Sequence, residues 1–573
     1  MTSAFEAIEH TAQDDCYSDS SHLTAMLEET DQQKFDLNLI LEQIGPFGKF
    51  QFKLFSLICI SSFVASTNFL LFIFTAREID YRCKIPQCDT NSSIIDASYL
   101  NFTVPVDQNG FSKCIKYQTY SNISGELEDQ CYPSFFNPNQ VESCSEFIYQ
   151  DDEVTIQNEW DLGCSEDWKL SLVGTVNNIG QLVCLPIAGY ISDRFGRQKA
   201  FLWSVLLTAF LGLIRSFSTN YIMFIILEFL EPALGSGFFN IGFVLAMEHI
   251  GTSKRVFWAF FPTVFCVFGV AGLGVTAMLT KNWRFLMRIL YVPSFFLASY
   301  RWLIPESTRW LISKNKIFDA AKIFASIVKL NQTELTMEAK DMLNQALNEE
   351  TSVKLNKEAH CKRSTNRNPS IKPKENKLKT FLKSRKMVLR FINCSLSWTA
   401  TLYVFTGLSM TSVLLDGDIY VNFILNSVID IPGCMMTFWL MDKFGRRRVL
   451  SFSYLACGAA CITFIFLKGN TVALQIIFMI AKLTVSMSYT TINFFTAELF
   501  PTELRQSLHG WCSVFGHIGS ILAPFTLYLA KYMESMDMIL FAAFVIPAGI
   551  FILYAPETRN KPLPDTMQEA ENL

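Results

Sequence analysis

Five ionisable side chains interrupt long apolar stretches of this chain: Glu228, Glu231, Asp430, Lys482 and His517. A charge among apolar neighbours is costly, so each needs a fixed partner or a charged visitor. A carboxylate in such a place suits an organic cation. Glu228 and Glu231 stand at i and i+3, which puts both carboxylates on one helix face; the plainer reading sets them at an outer rim. Asp430 precedes Ile431-Pro432, and its plainer reading is a structural pair with a Lys or Arg. Lys482 is either that counter-charge or a group for an anion. An unperturbed imidazole titrates near pH ~6.5, so His517 suits a neutral contact, a cation, a proton carrier or simple packing. Trp398, Tyr403 and Phe405 can offer ring faces to a cation, although aromatic-rich segments more often just pack.

A second kind of chemistry is repeated. Gly189-Tyr190-Ile191-Ser192-Asp193-Arg194-Phe195-Gly196-Arg197-Gln198-Lys199 returns 249 residues later as Phe438 to Arg448, with Asp442, Gly445 and Arg446 in the places of Asp193, Gly196 and Arg197, and Arg447 in that of Gln198. Gly189 and Gly196 are expected to allow close helix approach and a tight turn. Asp193 can face the positive N-terminal end of a neighbouring helix, and Arg194 and Arg197 can meet acids across the molecule. Contacts of this kind make a latch that forms on closing and breaks on opening. Glu248, Glu498 and Arg505 complete the expected gating set. The second copy has Phe438 in place of the leading Gly, which predicts a looser latch. The simpler alternative is that the basic residues only fix topology.

These groups must be positioned by membrane-spanning helices. Half of the residues are hydrophobic, 17% are charged, and 52 are Phe, against roughly 25% charged residues in soluble domains. A hydrocarbon core about 30 Å thick needs about 20 apolar helical residues. Twelve runs qualify, near 53–75, 169–191, 200–217, 220–247, 257–279, 284–304, 388–412, 419–441, 449–467, 472–494, 510–530 and 538–554. Each copy of the repeated loop lies between two of them, so the chain reads as two similar halves, the pattern of a secondary transporter. The first 33 residues are polar and acidic, so the first apolar run is expected to direct insertion. Basic residues after runs 2, 4, 8 and 10 fall on one side, which predicts that this side and both termini are cytosolic.

The segment 76–168 then lies outside. It holds the sequons at Asn91, Asn101 and Asn122 and six cysteines, Cys83, Cys88, Cys114, Cys131, Cys144 and Cys164. This predicts a glycosylated domain with up to three disulfides, whose pairing stays open among fifteen possibilities. The expected organisation is a cytosolic segment 1–52, a six-helix bundle 53–304 containing that loop, a central cytoplasmic loop 305–387, a second six-helix bundle 388–554 and a cytosolic tail 555–573. Within the central loop, Ser307 to Val328 has helical periodicity, whereas 351–386 is rich in Lys and Asn and reads as disordered. The net charge of −4 gives no reason to expect nucleic acid. No zinc-type Cys/His spacing, phosphate loop or nucleophile–base set is visible, so neither a metal, a cofactor, an enzyme nor an ATP-driven pump is expected.

Several phrases resemble one family, the organic cation/anion/carnitine branch of the major facilitator superfamily. They are Phe35-Asp36 with Gly45-Pro46-Phe47-Gly48, Glu159-Trp160-Asp161-Leu162, and Pro305-Glu306-Ser307-Thr308-Arg309-Trp310-Leu311. Further on come Glu498-Leu499-Phe500-Pro501-Thr502, Pro556-Glu557-Thr558, and Lys561-Pro562-Leu563-Pro564-Asp565-Thr566. Glu228-Phe229-Leu230-Glu231-Pro232 is similar to the arthropod organic cation transporter-like proteins. The resemblance implies an all-α membrane protein with twelve helices in two six-helix bundles, a large extracellular loop, and substrate bound between the bundles. It implies a cavity-facing acid at Asp430 and a cavity Trp at Trp398. At the His517 position, cation-carrying relatives often have Asp and anion or carnitine relatives often have Arg. Glu228 departs from the family, whose members often carry Arg there. The expectation is a plasma-membrane transporter of small organic ions, foremost organic cations or zwitterionic amines, with a proton or sodium as the candidate coupled ion. The alternatives are an organic anion or carnitine-like exchanger and, from another class, a transport-inactive receptor. The oligomeric state is not legible.

Overall fold

The structure is a computed structural model. It describes Gln43 to Asn572, apart from residues 46, 87, 90–94, 96, 108–109, 121–130, 151–152, 251–254, 358–380, 468–469, 502–503, 534, 560, 562–563 and 565–566. Side chains at 255–256, 348–357 and 506 are also outside the description.

Long apolar runs become helices because a bilayer cannot solvate an unpaired backbone. Span 1 is Lys49–Phe69 continued by Phe72–Thr75, span 2 Trp168–Phe195, span 3 Arg197–Arg215, span 4 Tyr221–Gly235 and Phe238–Glu248, and span 5 Arg255–Thr280. Span 6 is Trp283–Tyr291, continued by the tighter turns Val292–Ser299 and the short helix Tyr300–Leu303. Span 7 is Arg385–Thr411, span 8 Ile419–Val428 and Asp430–Phe444, span 9 Arg446–Phe466, span 10 Thr471–Leu499, span 11 Arg505–Ala530 and span 12 Met536–Phe551. Among the described residues, ten of these are long and apolar enough to cross a membrane; spans 6 and 7 are the others. Span 6 carries Arg284, Arg288 and Arg301, and span 7 carries Arg385, Lys386 and Arg390. Several helices run past their apolar stretches into the polar flanks, as at Glu498 on span 10, because helical hydrogen bonding continues into the headgroup region.

Two compact units are present, and each is described by itself. One contains residues up to Lys53, 247–255 and 307–365. Its helices are Thr308–Ser313, Ile317–Asn331 and Met337–Lys357. Ala320, Phe324 and Ile327 form the buried face of the middle one, spaced as the sequence periodicity requires. Asn331 ties this helix to the chain before span 1: its Oδ1 accepts from the Phe50 N–H at 2.9 Å and its Nδ2 donates to Gln51 Oε1 at 2.9 Å. The last helix enters the start of the tract expected to lack structure. Most of the rest of that tract lies outside the described residues.

The other unit holds the spans and the segment between spans 1 and 2. That segment contains three two-stranded antiparallel sheets: Tyr81–Cys83 with Phe147–Tyr149, Val106–Asp107 with Gly110–Phe111, and Ile115–Thr119 with Phe136–Ser143. The last pair slips register between Tyr117 and Gln118, opposite Pro138, which has no N–H for the ladder. Three disulfides, Cys83–Cys144, Cys88–Cys131 and Cys114–Cys164, close it, with Cα separations of 5.6, 4.9 and 5.5 Å. Arg82 and Asp89 form a buried ion pair at 2.7 Å, and Tyr99 bonds to the same carboxylate. Burial pushes the Asp89 carboxyl up, but Arg82, Tyr99 and the Ile85 N–H outweigh it and hold its pKa below the usual value. Its contribution to stability is therefore present at neutral pH and is lost only in strong acid. Asn101 is exposed on the short helix Leu100–Thr103; Asn91 and Asn122 lie outside the described residues.

Candidate functional site

Asp430 opens the second segment of span 8, where the helix restarts after Ile429. Lys482 on span 10 is the nearest cation, with its Nζ 3.7 Å from Asp430 Oδ2. The ammonium donates to Ser409 Oγ at 2.8 Å and lies 3.5 Å from the centre of the Phe405 ring, both on span 7. Asp430 Oδ1 is buried without a hydrogen-bond partner among the described residues. A row of rings leads away from this pair. Phe405 stacks on Tyr489 at 5.5 Å, Tyr489 meets Trp398 edge-on at 6.3 Å, and Trp398 meets His509 edge-on at 5.5 Å. Trp398 is fixed by donating from Nε1 to Thr496 Oγ1 at 3.0 Å. Spans 7, 8, 10 and 11 thus bring together a half-satisfied carboxylate, a compensated ammonium and an aromatic wall. Such a set can accept an organic ammonium through charge and ring faces. Tyr489 and His509 carry no mark in the sequence beyond their type, and only their packing singles them out.

His517 is set by the glycines around it. A Cβ on Gly516 would lie 2.8 Å from Leu402, and one on Gly519 would lie 2.3 Å from the Thr399 carbonyl, so both glycines bring span 11 close against span 7. His517 precedes Pro524 by two helical turns and so shares its face. Pro524 lies 3.0 Å from the Cβ position of Gly174 on span 2. The imidazole is therefore on the face that span 11 turns to the first half, and its Nδ1 is buried without a hydrogen-bond partner among the described residues. Tyr403 is elsewhere. Its hydroxyl bonds Thr526 at 2.6 Å and its ring packs on Phe541 and Phe544, inside the second half.

Glu228 and Glu231 are neither at a rim nor near Asp430. They are 1% and 4% exposed within the first half. The reason is Arg215 at the end of span 3, itself 1% exposed. Its Nη1 lies 2.5 Å from Glu228 Oε2 and 3.8 Å from Glu231 Oε2, and its Nη2 donates to the Tyr291 hydroxyl at 2.8 Å. Asn177 donates to Glu228 Oε1 at 2.7 Å and accepts from Gln181 at 2.7 Å. Gly212 makes this possible, because a Cβ there would lie 2.3 Å from the Tyr291 ring. Arg215 escaped the sequence reading because it ends an apolar run, where a cation is ordinary.

The repeated loops end in matching ways. Gly196 and Gly445 have φ of 105° and 92°, the left-handed region open to glycine. Each begins the next helix beneath an acid: Glu306 Oε1 accepts the N–H groups of Arg197 and Gln198 at 2.8 and 3.0 Å, and Glu557 Oε1 accepts that of Arg446 at 2.8 Å. These acids belong to the Pro305-Glu306 and Pro556-Glu557 phrases, so the helix N-termini expected to face Asp193 are held by Glu306 and Glu557 instead. Asp193 pairs with Arg197 one turn on, and Arg194 donates to the Tyr190 hydroxyl at 2.6 Å. Arg446 pairs with Glu498 at 3.1 Å, and Arg447 donates to the carbonyls of Leu553 and Ala555 at 3.3 and 3.2 Å. The partners named here lie in the same half as the motif. Arg505 donates to the Phe500 carbonyl at 3.2 Å, and Asp442 is exposed. Among the described residues nothing lies within 4 Å of the Cβ position of Gly189, so none of them makes a close helix approach there. Glu248 lies in the other unit, next to His249, whose ring is 5.7 Å from Phe50.

On the disulfide side the two halves meet. Phe74 packs on Tyr420 and Phe423, the Cβ position of Gly274 lies 2.8 Å from Ile424, and Thr175 donates to the Ile521 carbonyl at 3.2 Å. Tyr420 donates to Glu153 at 2.7 Å, and Glu153 also pairs with Arg77. Lys531 reaches Glu78 at 2.7 Å and Asp167 at 3.3 Å. Burial disfavours the Lys531 charge, but the two carboxylates prevail and raise its pKa. Partly exposed pairs of this kind contribute about 1 kcal/mol at most, roughly a five-fold change in an opening equilibrium. Lys531→Ala should therefore speed labelling of a cysteine placed at Ile521 by a membrane-impermeant thiol reagent up to about five-fold. Equal rates would assign the seal to the contacts other than Lys531.

Twelve helical spans in two halves, with ionisable groups at mid-span, describe a membrane transporter. Residues 161–524 match the Major Facilitator Superfamily, and the chain belongs to it. It is similar to solute carrier family 22 member 2 of Rattus norvegicus, 29% identical over 93% of this chain and 95% of that one. It is also similar to the organic cation transporter protein of Drosophila melanogaster, 27% identical over 93% and 94% of the two chains. The partially occluded, inward open structure of the xylose transporter XylE from E. coli superposes with a TM-score of 0.57 at 14% identity, covering 90% of this chain and all of that one; that likeness concerns the fold. These relatives are transporters and not enzymes.

Proposed function

We propose that the chain moves small organic ions, foremost cations and zwitterionic amines, across the plasma membrane by alternating access. The observation that carries this reading is Asp430: one oxygen faces Lys482 and the other is buried without a hydrogen-bond partner among the described residues, with the Ser486 side chain close by, beside the ring row from Phe405 to His509. A substrate ammonium takes the free side of that carboxylate and leans on the rings, Trp398 among them. A zwitterion can place its own carboxylate toward Lys482. His517, on the face toward the first half, stands where the substrate passes from one half to the other. The similarity to organic cation transporters supports the same substrate class. A buried Lys482 favours one second reading, an organic anion or carnitine-like substrate.

In this account the disulfide domain is extracellular, Asn101 carries a glycan, and both termini are cytosolic. The halves touch on the disulfide side, and Phe260 of span 5 also meets Phe438 of span 8 at 6.3 Å near the repeated loops. The pairs at Asp193, Arg197, Arg446 and Glu498 hold the ends of each half, and their exchange for cross-half partners closes that side. Entry of a monovalent cation into a negative cell gains about 2.3 kcal/mol per 100 mV.

The test is uptake of labelled tetraethylammonium, benzoate and carnitine in voltage-clamped cells, repeated with His517→Asp and His517→Arg. Tetraethylammonium uptake that rises with His517→Asp and falls with His517→Arg is expected. Indifference of both variants would remove His517 from the path, and exclusive benzoate uptake would reverse the substrate class.

A further inference from the structure

We infer that Glu231 is a proton-carrying site, built into the first half and separate from the substrate site at Asp430. Its chemical environment is closed and can be counted. Facing it are Arg215 on span 3, Glu228 on its own span, Tyr291 on span 6 and Cys184 on span 2. Among the described residues, Arg215 is the one guanidinium in contact with the two carboxylates. Glu228 is its close partner at 2.5 Å and also receives the Asn177 amide. Glu231 stands 3.8 Å from the same nitrogen and shares the Tyr291 hydroxyl with Arg215. With both carboxylates ionised the cluster would keep an uncompensated negative charge at 1–5% side-chain exposure. Two carboxylates beside one cation in an apolar medium hold a proton between them, because a lone buried charge is costlier than protonation. The proton sits on the more distant acid, Glu231.

The helix around it is suited to releasing that proton. Glu231 directly precedes Pro232, which has no N–H to offer the Glu228 carbonyl. Span 4 is then interrupted between Gly235 and Phe238. At the same level the Cβ position of Gly180 lies 2.7 Å from the Phe229 carbonyl oxygen, so spans 2 and 4 are in direct contact. A bend of span 4 at Pro232 opens that contact and lets water reach Glu231. The step is a plain ionisation: the carboxylic O–H breaks, the proton goes to water, and the carboxylate keeps the electron pair. Coupling of this step to substrate movement rests on the transport reading above; the protonation itself does not.

Infrared spectroscopy of the purified full chain in lipid nanodiscs at neutral pH reads the proton directly. The expected result is a protonated carboxylic C=O band that persists in Asp430→Asn and disappears in Glu231→Gln. It should also disappear in Glu228→Gln, where the remaining carboxylate pairs with Arg215. Both replacements keep side-chain volume, and retained near-ultraviolet circular dichroism verifies their folding. Absence of the band in the parent chain, or its survival in Glu231→Gln, overturns the assignment. Proteoliposomes loaded with labelled tetraethylammonium then test coupling. An opposing proton gradient should speed efflux from the parent and not from Glu231→Gln. Efflux from the parent that ignores the gradient overturns the coupling, while no tetraethylammonium movement at all counts against the substrate reading and leaves the infrared result to decide the site.

Discussion

Arg215→Ala is expected to cost about 3–5 kcal/mol of stability, because removing one partner of a buried ion pair strands the charge on the other. Here the Glu228 carboxylate would be stranded, along with the protonated Glu231, the Tyr291 hydroxyl and the amide chain through Asn177 and Gln181. The purified variant should unfold at a clearly lower temperature, and little of it should reach the cell surface. The decisive control is the triple variant Arg215→Ala with Glu228→Gln and Glu231→Gln. It removes the stranded Glu228 charge together with the cation and the second acid, so most of the loss should be recovered, as neighbours in one network are not additive. If the single variant melts with the parent, the cluster does not hold the first half together. If the triple variant melts with the single one, the loss comes from packing of the Arg215 side chain and not from its charge.

The second large effect is expected at the other ion pair. Asp430→Asn should reduce tetraethylammonium uptake at least about ten-fold, the change that corresponds to about 1.4 kcal/mol of lost interaction. Lys482→Ala should act differently, keeping cation uptake while abolishing any carnitine uptake. The asymmetry follows from geometry. The 3.7 Å separation leaves Asp430 only loosely engaged, whereas Lys482 has Ser409 and the Phe405 ring as further partners. A charge held by several partners is structural in larger part than one with an unfilled oxygen. Parallel loss of cation uptake in both variants would mean that the pair acts only as a brace between spans 8 and 10.

The helices were legible because bilayer thickness dictates their length and an unpaired backbone cannot sit in oil. The two halves were legible because a Gly with a left-handed φ is needed at each repeated turn, as at Gly196 and Gly445. Lys482 beside Asp430 was one of two readings that the residue types allowed. What stayed hidden depends on meetings between distant segments. Arg215 reads as an ordinary helix-end cation until Glu228 and Tyr291 are seen around it. Glu306 and Glu557 stand out as phrases, yet only the fold brings them over the N-termini of spans 3 and 9. The three disulfides needed the sheet register, since cysteine types alone carry no pairing.

Binding, separated from transport, tests the central claim most directly. Equilibrium binding of labelled tetraethylammonium to the purified chain should be saturable, at least about ten-fold weaker in Asp430→Asn, and unchanged in Tyr403→Phe, whose hydroxyl points to Thr526. Equal affinity in the parent and in Asp430→Asn would contradict the account, because the carboxylate on span 8 would then not be the group that meets the cation.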